Sequence, residues 1–304
     1  MKFALFRVIL TICIIAAPYL CKAQEDSTSI SKIGLIDTTQ LKKYIDIQKD
    51  GSEWVILDAR PMKYWEKSHI PKSISFSWEN YTKTDSNQVS YRILPTDELA
   101  YALGNLGISE QTPIVISGDA DQSWGGEGWL VWVFKWLGHQ VDLQLLKGGI
   151  QAWERAGYSL ISVKDEEKER QNIEPLQYRA NPIDSMNISA REIFDNPNNY
   201  QLVDTRSTIE WFKGHLPNAV HIPWEKFFKG KDRTPIEPEE LQSLLKKNSL
   251  NMEKTVVYYC SGGIRSGYTW LVHELAALEL KELPKAINFE GGTEEWNKAI
   301  KNLD

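Results

Sequence analysis

The sequence predicts two α/β domains in tandem, each built on a mainly parallel β-sheet flanked by helices. Three observations lead to this prediction. The chain has 304 residues, more than the roughly 100 to 200 residues of a usual single domain. One pattern of motifs occurs twice along it. In both halves, short apolar runs typical of buried parallel strands alternate with segments whose apolar residues recur every three or four positions, as in amphipathic helices.

The first 23 residues have the features of a secretory signal. Lys2 and Arg7 precede an apolar run at residues 8–17, and a small residue, Ala23, closes the segment. An apolar run of about ten residues is too short for the roughly 20 residues that a membrane-spanning helix needs. We therefore expect residues 1–23 to be a signal peptide. We also expect export to the periplasm or the extracellular space, with no membrane span after cleavage.

Charge argues against a nucleic-acid partner. Loss of the signal peptide would remove three of 35 basic residues and no acidic residue, leaving 32 basic and 41 acidic residues and a net charge of −9. An acidic surface without basic clusters repels a phosphate backbone. The expected partners are therefore not nucleic acids.

Cysteine usage singles out one thiol. Cys13 and Cys21 lie within the expected signal peptide, so Cys260 would be left alone in the mature chain. Cysteines in an oxidising compartment usually occur in pairs, and a solitary one is either a buried, inert residue or a reactive group. A lipoprotein signal ending at Cys21 is the alternative to cleavage after Ala23.

The internal repeat defines the two halves. Four pairs of identical residues are separated by 146 positions: Asp58 and Asp204, Arg60 and Arg206, His69 and His215, and Pro71 and Pro217. Further on, KGGIQAW at residues 147–153 recurs as EGGTEEW at residues 290–296, with an offset of 143. The changed offset indicates loops of different length on one shared fold. Because both halves keep the Asp-Arg pair, we interpret Asp204 and Arg206 as a structural ion pair, with substrate support as the alternative.

Each half has the same predicted order of elements. An apolar strand is followed by a short strand, an amphipathic helix, a third strand, another helix, a fourth strand and a short helix. The best-defined elements are two helices and two strands, at residues 96–106, 238–247, 114–116 and 256–259. The charged segment at residues 163–182 is predicted to be a solvated linker. The predicted domains therefore cover residues 30–162 and 183–304.

Cys260 lies where a strand gives way to a helix. The strand is expected to end at Tyr259, and apolar residues at helical spacing follow Ser266. The first N–H groups of a helix lack intrahelical partners and favour an anion. Gly262 and Gly263 permit the backbone angles that turn such groups inward, and an arginine two positions later adds a permanent positive charge. Such surroundings favour the thiolate, which is the nucleophilic form of cysteine.

These residues resemble those of the rhodanese family of sulfurtransferases in its tandem-domain form. The resemblance covers nearly the whole chain after residue 23. It rests on CSGGIRS at residues 260–266, DTR at 204–206, GHLPNAVHIPW at 214–224 and EGGTEEW at 290–296, with weaker copies DAR, SHIPKSI and KGGIQAW in the first half. It implies that Cys260 takes the outer sulfur of a donor such as thiosulfate, becomes a persulfide, and passes that sulfur to cyanide or a thiol. No metal or organic cofactor is implied.

The resemblance also assigns the remaining site residues. The backbone N–H groups expected to cradle the persulfide belong to Ser261, Gly262, Gly263, Ile264, Arg265 and Ser266. Arg265 is expected to hold the anionic part of the donor. In the first half, Gly118 or Asp119 takes the position of the cysteine, and the loop there carries three acids and no cation. We therefore expect the first domain to be catalytically inactive.

Three other functions are open. The alternative donor is 3-mercaptopyruvate, although a cation in the loop favours thiosulfate. A cysteine-dependent phosphatase or arsenate reductase on the same fold would have five residues between its cysteine and arginine, whereas four separate Cys260 from Arg265. The third is a non-catalytic module that hands a persulfide to a partner protein.

Overall fold

The computed structural model describes residues 32–47, 54–119, 121–166 and 174–300. The expected signal peptide, residues 1–23, lies outside these ranges. Within them, no helix is both long enough and apolar enough to cross a membrane. The described chain forms two α/β domains in tandem, each with its own parallel sheet, as the sequence predicts.

The N-terminal domain has a five-stranded parallel sheet in the order β1-β7-β6-β2-β3. Apolar side chains pack on both faces of this sheet. Along the chain its elements are β1 (Ile33–Ile36), α1 (Thr38–Ile47), β2 (Val55–Asp58), α2 (Met62–Trp65), β3 (Ser73–Ser75), α3 (Trp78–Tyr81), β4 (Thr82–Lys83), β5 (Arg92–Ile93), α4 (Thr96–Asn105), β6 (Ile114–Ser117), α5 (Gly126–Trp136), β7 (Leu143–Leu146), α6 (Gly149–Arg155) and α7 (Val163–Glu166).

The C-terminal domain repeats this plan with a four-stranded parallel sheet in the order β13-β12-β8-β9. Two 3₁₀ turns, Asp184–Met186 and Trp224–Phe227, complete it. Its other elements are α8 (Ala190–Asp195), β8 (Gln201–Asp204), α9 (Thr208–Phe212), β9 (Val220–His221), β10 (Phe228–Lys229), β11 (Thr234–Pro235), α10 (Pro238–Lys247), β12 (Val256–Tyr259), α11 (Ile264–Ala277), β13 (Ala286–Phe289) and α12 (Gly292–Ile300).

The predicted elements are found close to their expected bounds. Helix α10 and strand β12 have the predicted ranges, α4 ends one residue earlier at Asn105, and β6 continues to Ser117. Strand β1 was not predicted. It pairs in parallel with β7 at the sheet edge and has no counterpart in the second domain, so the repeat could not reveal it.

The last part of the predicted linker, residues 174–182, is mostly exposed but contacts the N-terminal domain. This segment runs along the N-terminal domain, where the amide of Leu176 donates to the carbonyl of Gly104 at 2.9 Å and that of Asn181 to the carbonyl of Leu137 at 2.9 Å. Tyr178 is only 5% exposed and packs near Phe134. Burial of this aromatic ring outweighs the polar composition of its neighbours.

The two domains pack through helices α5 and α11, which follow the equivalent loops of the two sheets. A Cβ atom added at Gly128 would lie 2.4 Å from the Cα of Tyr268, and one at Gly267 would lie 2.8 Å from the Cα of Trp129. Both distances are below van der Waals contact, so only glycine allows the helices to approach this closely. The buried core is continuous across this contact, and it fixes the cysteine loop at the domain interface.

Candidate active site

Cys260 follows directly on β12, a strand that is buried along its whole length. The next helix begins at Ile264, two residues earlier than expected, so Arg265 and Ser266 belong to its first turn. The reason is Gly263, which caps the helix in a left-handed conformation with φ 79° and ψ −8°. A Cβ atom at this glycine would lie 2.7 Å from the backbone of Glu290. Glycine is therefore required there by both conformation and space.

The loop and first helical turn after Cys260 carry a run of backbone N–H groups without acceptors in the part of the protein that the structure describes. Among the described residues, none accepts a hydrogen bond from the backbone N–H groups of residues 261–266. These groups lie at the positive end of a helix of 14 residues. Cys260 is 2% exposed, and the hydroxyl of Ser266 donates to its Sγ atom at 3.7 Å. A bound anionic sulfur would satisfy these unpaired donors.

The paired glycines of the EGG motif, at residues 290–292, allow the backbone at the start of α12 to contact the cysteine loop. The amide of Thr293 donates to the carbonyl of Cys260 at 2.9 Å, and that of Glu294 donates to the carbonyl of Ser261 at 3.1 Å. Gly292 has a φ of 51°, and a Cβ atom there would lie 2.4 Å from the Cys260 carbonyl oxygen. The motif thus positions the nucleophile through main-chain contacts.

The same contact identifies the residue that replaces the cysteine in the N-terminal domain. There the amide of Ile150 donates to the carbonyl of Gly118 at 3.0 Å, and Gly149 has a φ of 53°. Gly118 therefore takes the place of Cys260. Asp119, the other candidate, follows it, and burial raises the pKa of its carboxyl group to about 6 although the amide of Gln122 opposes the shift. This loop offers carboxylates and no thiol.

The guanidinium of Arg265 is paired with a carboxylate that the sequence did not predict as its partner. Its Nη1 donates to Oε2 of Glu210 at 2.7 Å, its Nη2 to Oε1 of the same carboxylate at 2.7 Å, and Nη2 also to Oγ of Ser261 at 3.1 Å. Burial lowers the pKa of Arg265, but the hydrogen bond with Glu210 and the charge of Cys260 outweigh it and raise the pKa above its ordinary value. Burial also acts to raise the pKa of Glu210, yet the hydrogen bonds from Arg265 and Ser207 bring it well below its usual range.

Glu210 is the residue that sequence reasoning missed. It lies at the third position of α9 and forms a capping box with Ser207, whose hydroxyl donates to Oε2 of Glu210 at 2.7 Å. The S-x-x-E signal of this box is legible in the sequence. The repeat adds a second signal, because the residue 146 positions earlier is Tyr64. Only the half with the cysteine carries this carboxylate.

Asp204 ends β8, and Arg206 follows it two residues later. Arg206 Nη2 donates to Oδ2 of Asp204 at 2.6 Å and to the carbonyl of Gly214 at 2.6 Å. In the first domain, Arg60 Nη2 makes the same two contacts, with Asp58 at 2.7 Å and the carbonyl of Ser68 at 2.7 Å. Identical geometry in a half without a cysteine supports the structural interpretation.

The N-terminal domain contributes two aromatic residues to the surroundings of the cysteine loop. Tyr91 packs on Gly262, where an added Cβ atom would lie 2.5 Å from the Tyr91 Cβ. The ring of Trp124 lies over the guanidinium of Arg265, with 5.7 Å between Cζ and the ring centroid. Both residues have left-handed backbones, with φ 64° and 55°. These contacts could not be predicted from the sequence, because they join residues more than 100 positions apart.

Among the described residues, no group of three or more His, Cys, Asp or Glu side chains is arranged to hold a metal ion.

Comparison with known proteins identifies a family for both domains and relatives along most of the chain. The sequence profile of the Rhodanese-like domain matches residues 37–156 and 189–299. The thiosulfate sulfurtransferase of Rattus norvegicus is 24% identical over 288 residues, covering 86% of this chain and 91% of the relative. The sulfur carrier protein TtuD of Thermus thermophilus is 27% identical over 258 residues, covering 78% of this chain and 85% of the relative.

Two solved structures share the fold. SseA from Escherichia coli, a 3-mercaptopyruvate sulfurtransferase, superposes with a TM-score of 0.70 at 17% identity, covering 85% of this chain and 98% of its own. An anaerobic ergothioneine biosynthesis enzyme from Chlorobium limicola superposes with a TM-score of 0.72 at 19% identity, covering 88% of this chain and 69% of its own. Since the profile matches both domains and most of the sequence, this chain belongs to the rhodanese family of sulfurtransferases.

Proposed function

We propose that the protein transfers the outer sulfur of thiosulfate to cyanide or a thiol acceptor, through a persulfide on Cys260. One observation carries the proposal. Cys260 immediately precedes a run of backbone N–H groups, those of residues 261–266, that have no acceptor among the described residues. The name of the rat relative, which matches over most of both chains, supports thiosulfate as the donor.

In the first step, the Cys260 thiolate attacks the outer sulfur of thiosulfate. The new S–S bond forms on Sγ, the S–S bond of thiosulfate breaks, and its electron pair leaves with sulfite. The charge on the two sides is equal, and no oxidant or reductant is consumed. The terminal sulfur of the persulfide carries the negative charge, and we expect the amides of residues 261–266 to stabilise it by hydrogen bonds.

In the second step, the acceptor attacks the terminal sulfur of the persulfide. With cyanide, a C–S bond forms, thiocyanate leaves, and the electron pair of the broken S–S bond returns to Sγ. The thiolate is thereby regenerated. Because each half-reaction frees its product before the next substrate reacts, ping-pong kinetics are expected.

A second donor, 3-mercaptopyruvate, is favoured by a specific observation. The guanidinium of Arg265 is held by the carboxylate of Glu210, so the charged pair beside the sulfur is close to neutral. A neutral pocket suits a donor with one negative charge better than a donor with two. Attack of the Cys260 thiolate on the sulfur of this donor breaks the donor's C–S bond. The electron pair of that bond stays on the carbon, which takes up the proton of the donor thiol, so the products are pyruvate and the same Cys260 persulfide.

The test is thiocyanate formation by the purified protein with each donor and cyanide. The Cys260→Ser variant should form none above background while its thermal unfolding matches the parent. Equal activity in both proteins would refute sulfur transfer through Cys260. Hydrolysis of an aryl phosphate would instead support the phosphatase alternative. A stable persulfide that reaches only a partner protein would support the carrier alternative.

We also propose that the protein acts outside the cytoplasm, as residues 1–23 suggest. Amino-terminal sequencing of the protein recovered from the producing cells tests this. A mature terminus at Gln24 supports cleavage and export, and an intact Met1 in a cytoplasmic fraction contradicts it.

A further inference from the structure

We propose that Glu210 determines which sulfur donor the site accepts, by neutralising Arg265 and so disfavouring donors with two negative charges. This inference rests on the proposed function, because it concerns the donor that forms the Cys260 persulfide. Glu210 is a specificity residue that acts through Arg265.

The geometry of the charged pair supports this role. The two oxygens of the Glu210 carboxylate each accept from a different terminal nitrogen of Arg265, both at 2.7 Å. Such a two-point contact between planar groups is the strongest and most directional that an arginine makes with a carboxylate. The hydroxyl of Ser261 and the ring of Trp124 contact the same guanidinium. An incoming anion therefore has to bind beside a guanidinium whose charge is already matched.

The pair also lies close to the reacting sulfur. Cys260 interacts electrostatically with Arg265 and contributes to its raised pKa. Ser261, the residue after the nucleophile, donates to Oε1 of Glu210 at 3.2 Å. A charge on Glu210 is thus felt where the donor must approach, and Arg265 is only 8% exposed, which limits screening by solvent.

A comparison of the two domains shows that the fold does not require the ion pair between Glu210 and Arg265. Capping glycines Gly125 and Gly263 are equivalent, and two positions later the N-terminal domain has Glu127 where the C-terminal domain has Arg265. Tyr64 stands where the C-terminal domain has Glu210. The N-terminal domain folds in the same way without either partner. The carboxylate and the guanidinium occur together only beside the thiol.

The consequence for donor choice follows from charge. Thiosulfate carries two negative charges near neutral pH, and 3-mercaptopyruvate carries one on its carboxylate. The unfavourable interaction with Glu210 is proportional to the charge of the donor. Removal of the charge of Glu210 should therefore raise kcat/KM for thiosulfate more than kcat/KM for 3-mercaptopyruvate.

The decisive variant is Glu210→Gln. Glutamine keeps the size of the side chain and can still form a capping box with Ser207. We expect the ratio of kcat/KM for thiosulfate to kcat/KM for 3-mercaptopyruvate to rise about tenfold, mainly through a lower KM for thiosulfate. The matched control is Glu225→Gln, which removes the same charge from an exposed position of the same domain. This control should change the ratio less than about twofold.

Two further measurements separate charge from structure. Glu210→Asp keeps the charge while shortening the side chain, so its donor ratio should stay within about threefold of the parent even if its activity falls. The salt dependence of KM gives an independent test. In the parent, KM for thiosulfate should not rise between about 0.05 M and 0.5 M salt, whereas in Glu210→Gln it should rise because an unpaired cation then attracts the donor.

The outcomes distinguish this inference from the proposed function. If Cys260→Ser retains thiocyanate formation, the persulfide mechanism is wrong. If Cys260→Ser is inactive but Glu210→Gln has the donor ratio of Glu225→Gln, the inference alone is wrong. A parent enzyme whose KM for thiosulfate rises steeply with salt also contradicts it, and this result does not depend on the folding of any variant.

Discussion

The two domains share one fold and differ in the loop that follows the central strand. In the C-terminal domain, four residues, 260–263, separate β12 from α11, and they include the thiol. In the N-terminal domain, eight residues, 118–125, separate β6 from α5, and the loop carries Asp119 with a carboxylate at Glu127 beyond it. A short, glycine-capped loop keeps the helix amides close to the strand end, and a longer one does not.

The extra residues of the N-terminal domain contact the other domain. The long loop after β6 carries Trp124 to Arg265. The hairpin loop between β4 and β5 has eight residues against four between β10 and β11, and it ends at Tyr91 on Gly262. Its neighbour Arg92 forms an ion pair with the buried Glu290 at 2.6 Å. The N-terminal domain therefore contributes residues to the surroundings of Cys260 in the C-terminal domain.

The largest expected effect is that of Cys260→Ser. Loss of the nucleophile should lower kcat/KM for thiosulfate at least about a thousandfold, because no other described group can form the persulfide. Thiocyanate formation measures this. The control is Glu225→Gln at an exposed position of the same domain, which should keep activity within about twofold of the parent. Turnover within tenfold of the parent would show that the Cys260 thiol is not what makes the C-terminal loop active.

The two capping glycines offer a sharper test of the comparison. Gly263→Ala and Gly125→Ala each force a side chain into a left-handed conformation at a cost of about 1–2 kcal/mol, and each added Cβ atom also lies too close to a neighbour, 2.7 Å from the Glu290 backbone and 2.9 Å from the Tyr268 Cβ. Only the first change displaces amides beside the sulfur, so we expect kcat/KM to fall about a hundredfold in Gly263→Ala and less than about threefold in Gly125→Ala. Steady-state kinetics, corrected for the folded fraction, give the result. Equal losses would mean that the loop around the cysteine has no special geometry.

Glu290 should make stability depend on pH. Burial raises the pKa of this carboxyl group from 4.5 to about 7, although Arg92 and the amide of Ile93 oppose the shift. Between these values the folded protein keeps a proton that the unfolded chain has lost, so stability falls as pH rises, by up to about 1.4 kcal/mol per pH unit. The Glu290→Gln variant lacks this loss, and its stability relative to the parent should rise by about 2 kcal/mol from pH 5 to pH 7.

Urea unfolding at several pH values measures this difference. The corresponding residue of the first domain is Lys147, which is exposed, and Lys147→Gln should follow the curve of the parent. A Glu290→Gln curve parallel to that of the parent would show that Glu290 stays ionised in the interface throughout this range.

The smallest expected effect is that of Trp124→Ala. Removal of the ring above Arg265 loses a cation–π contact of about 0.5–1 kcal/mol at an exposed site, so KM for thiosulfate should change by about threefold with kcat nearly unchanged. Tyr101→Ala is the control, because this exposed aromatic residue of α4 lies on the surface. Identical kinetics in the two variants would limit the role of the N-terminal domain to packing.

Much of the fold could be predicted from local patterns. Helix α10 has apolar residues at regular spacing and a proline at its first position, and its range was predicted without error. Strand β12 was equally clear because it is a short apolar run next to a glycine turn. The start of α11 was placed two residues late, since the left-handed Gly263 caps the helix before its apolar periodicity begins.

The contacts around the cysteine could not be predicted in the same way. Arg265 was visible as a cation, but its partner Glu210 lies 55 residues earlier and is joined to it only when β8 and β12 pair side by side. Strand β1 and the hydrogen bonds of residues 174–182 were not predicted, because both join residues that are distant in the chain.

By itself, the sequence determined the repeated α/β plan, the family, and the position of Cys260 beside a glycine turn, because each depends on local spacing and residue type. Only the tertiary structure decided the charge around that thiol. Whether an arginine attracts an anion depends on what else it touches, and the carboxylate and the tryptophan that contact Arg265 come from distant parts of the chain. Electrostatic interactions depend on distance in space, which the order of residues does not specify.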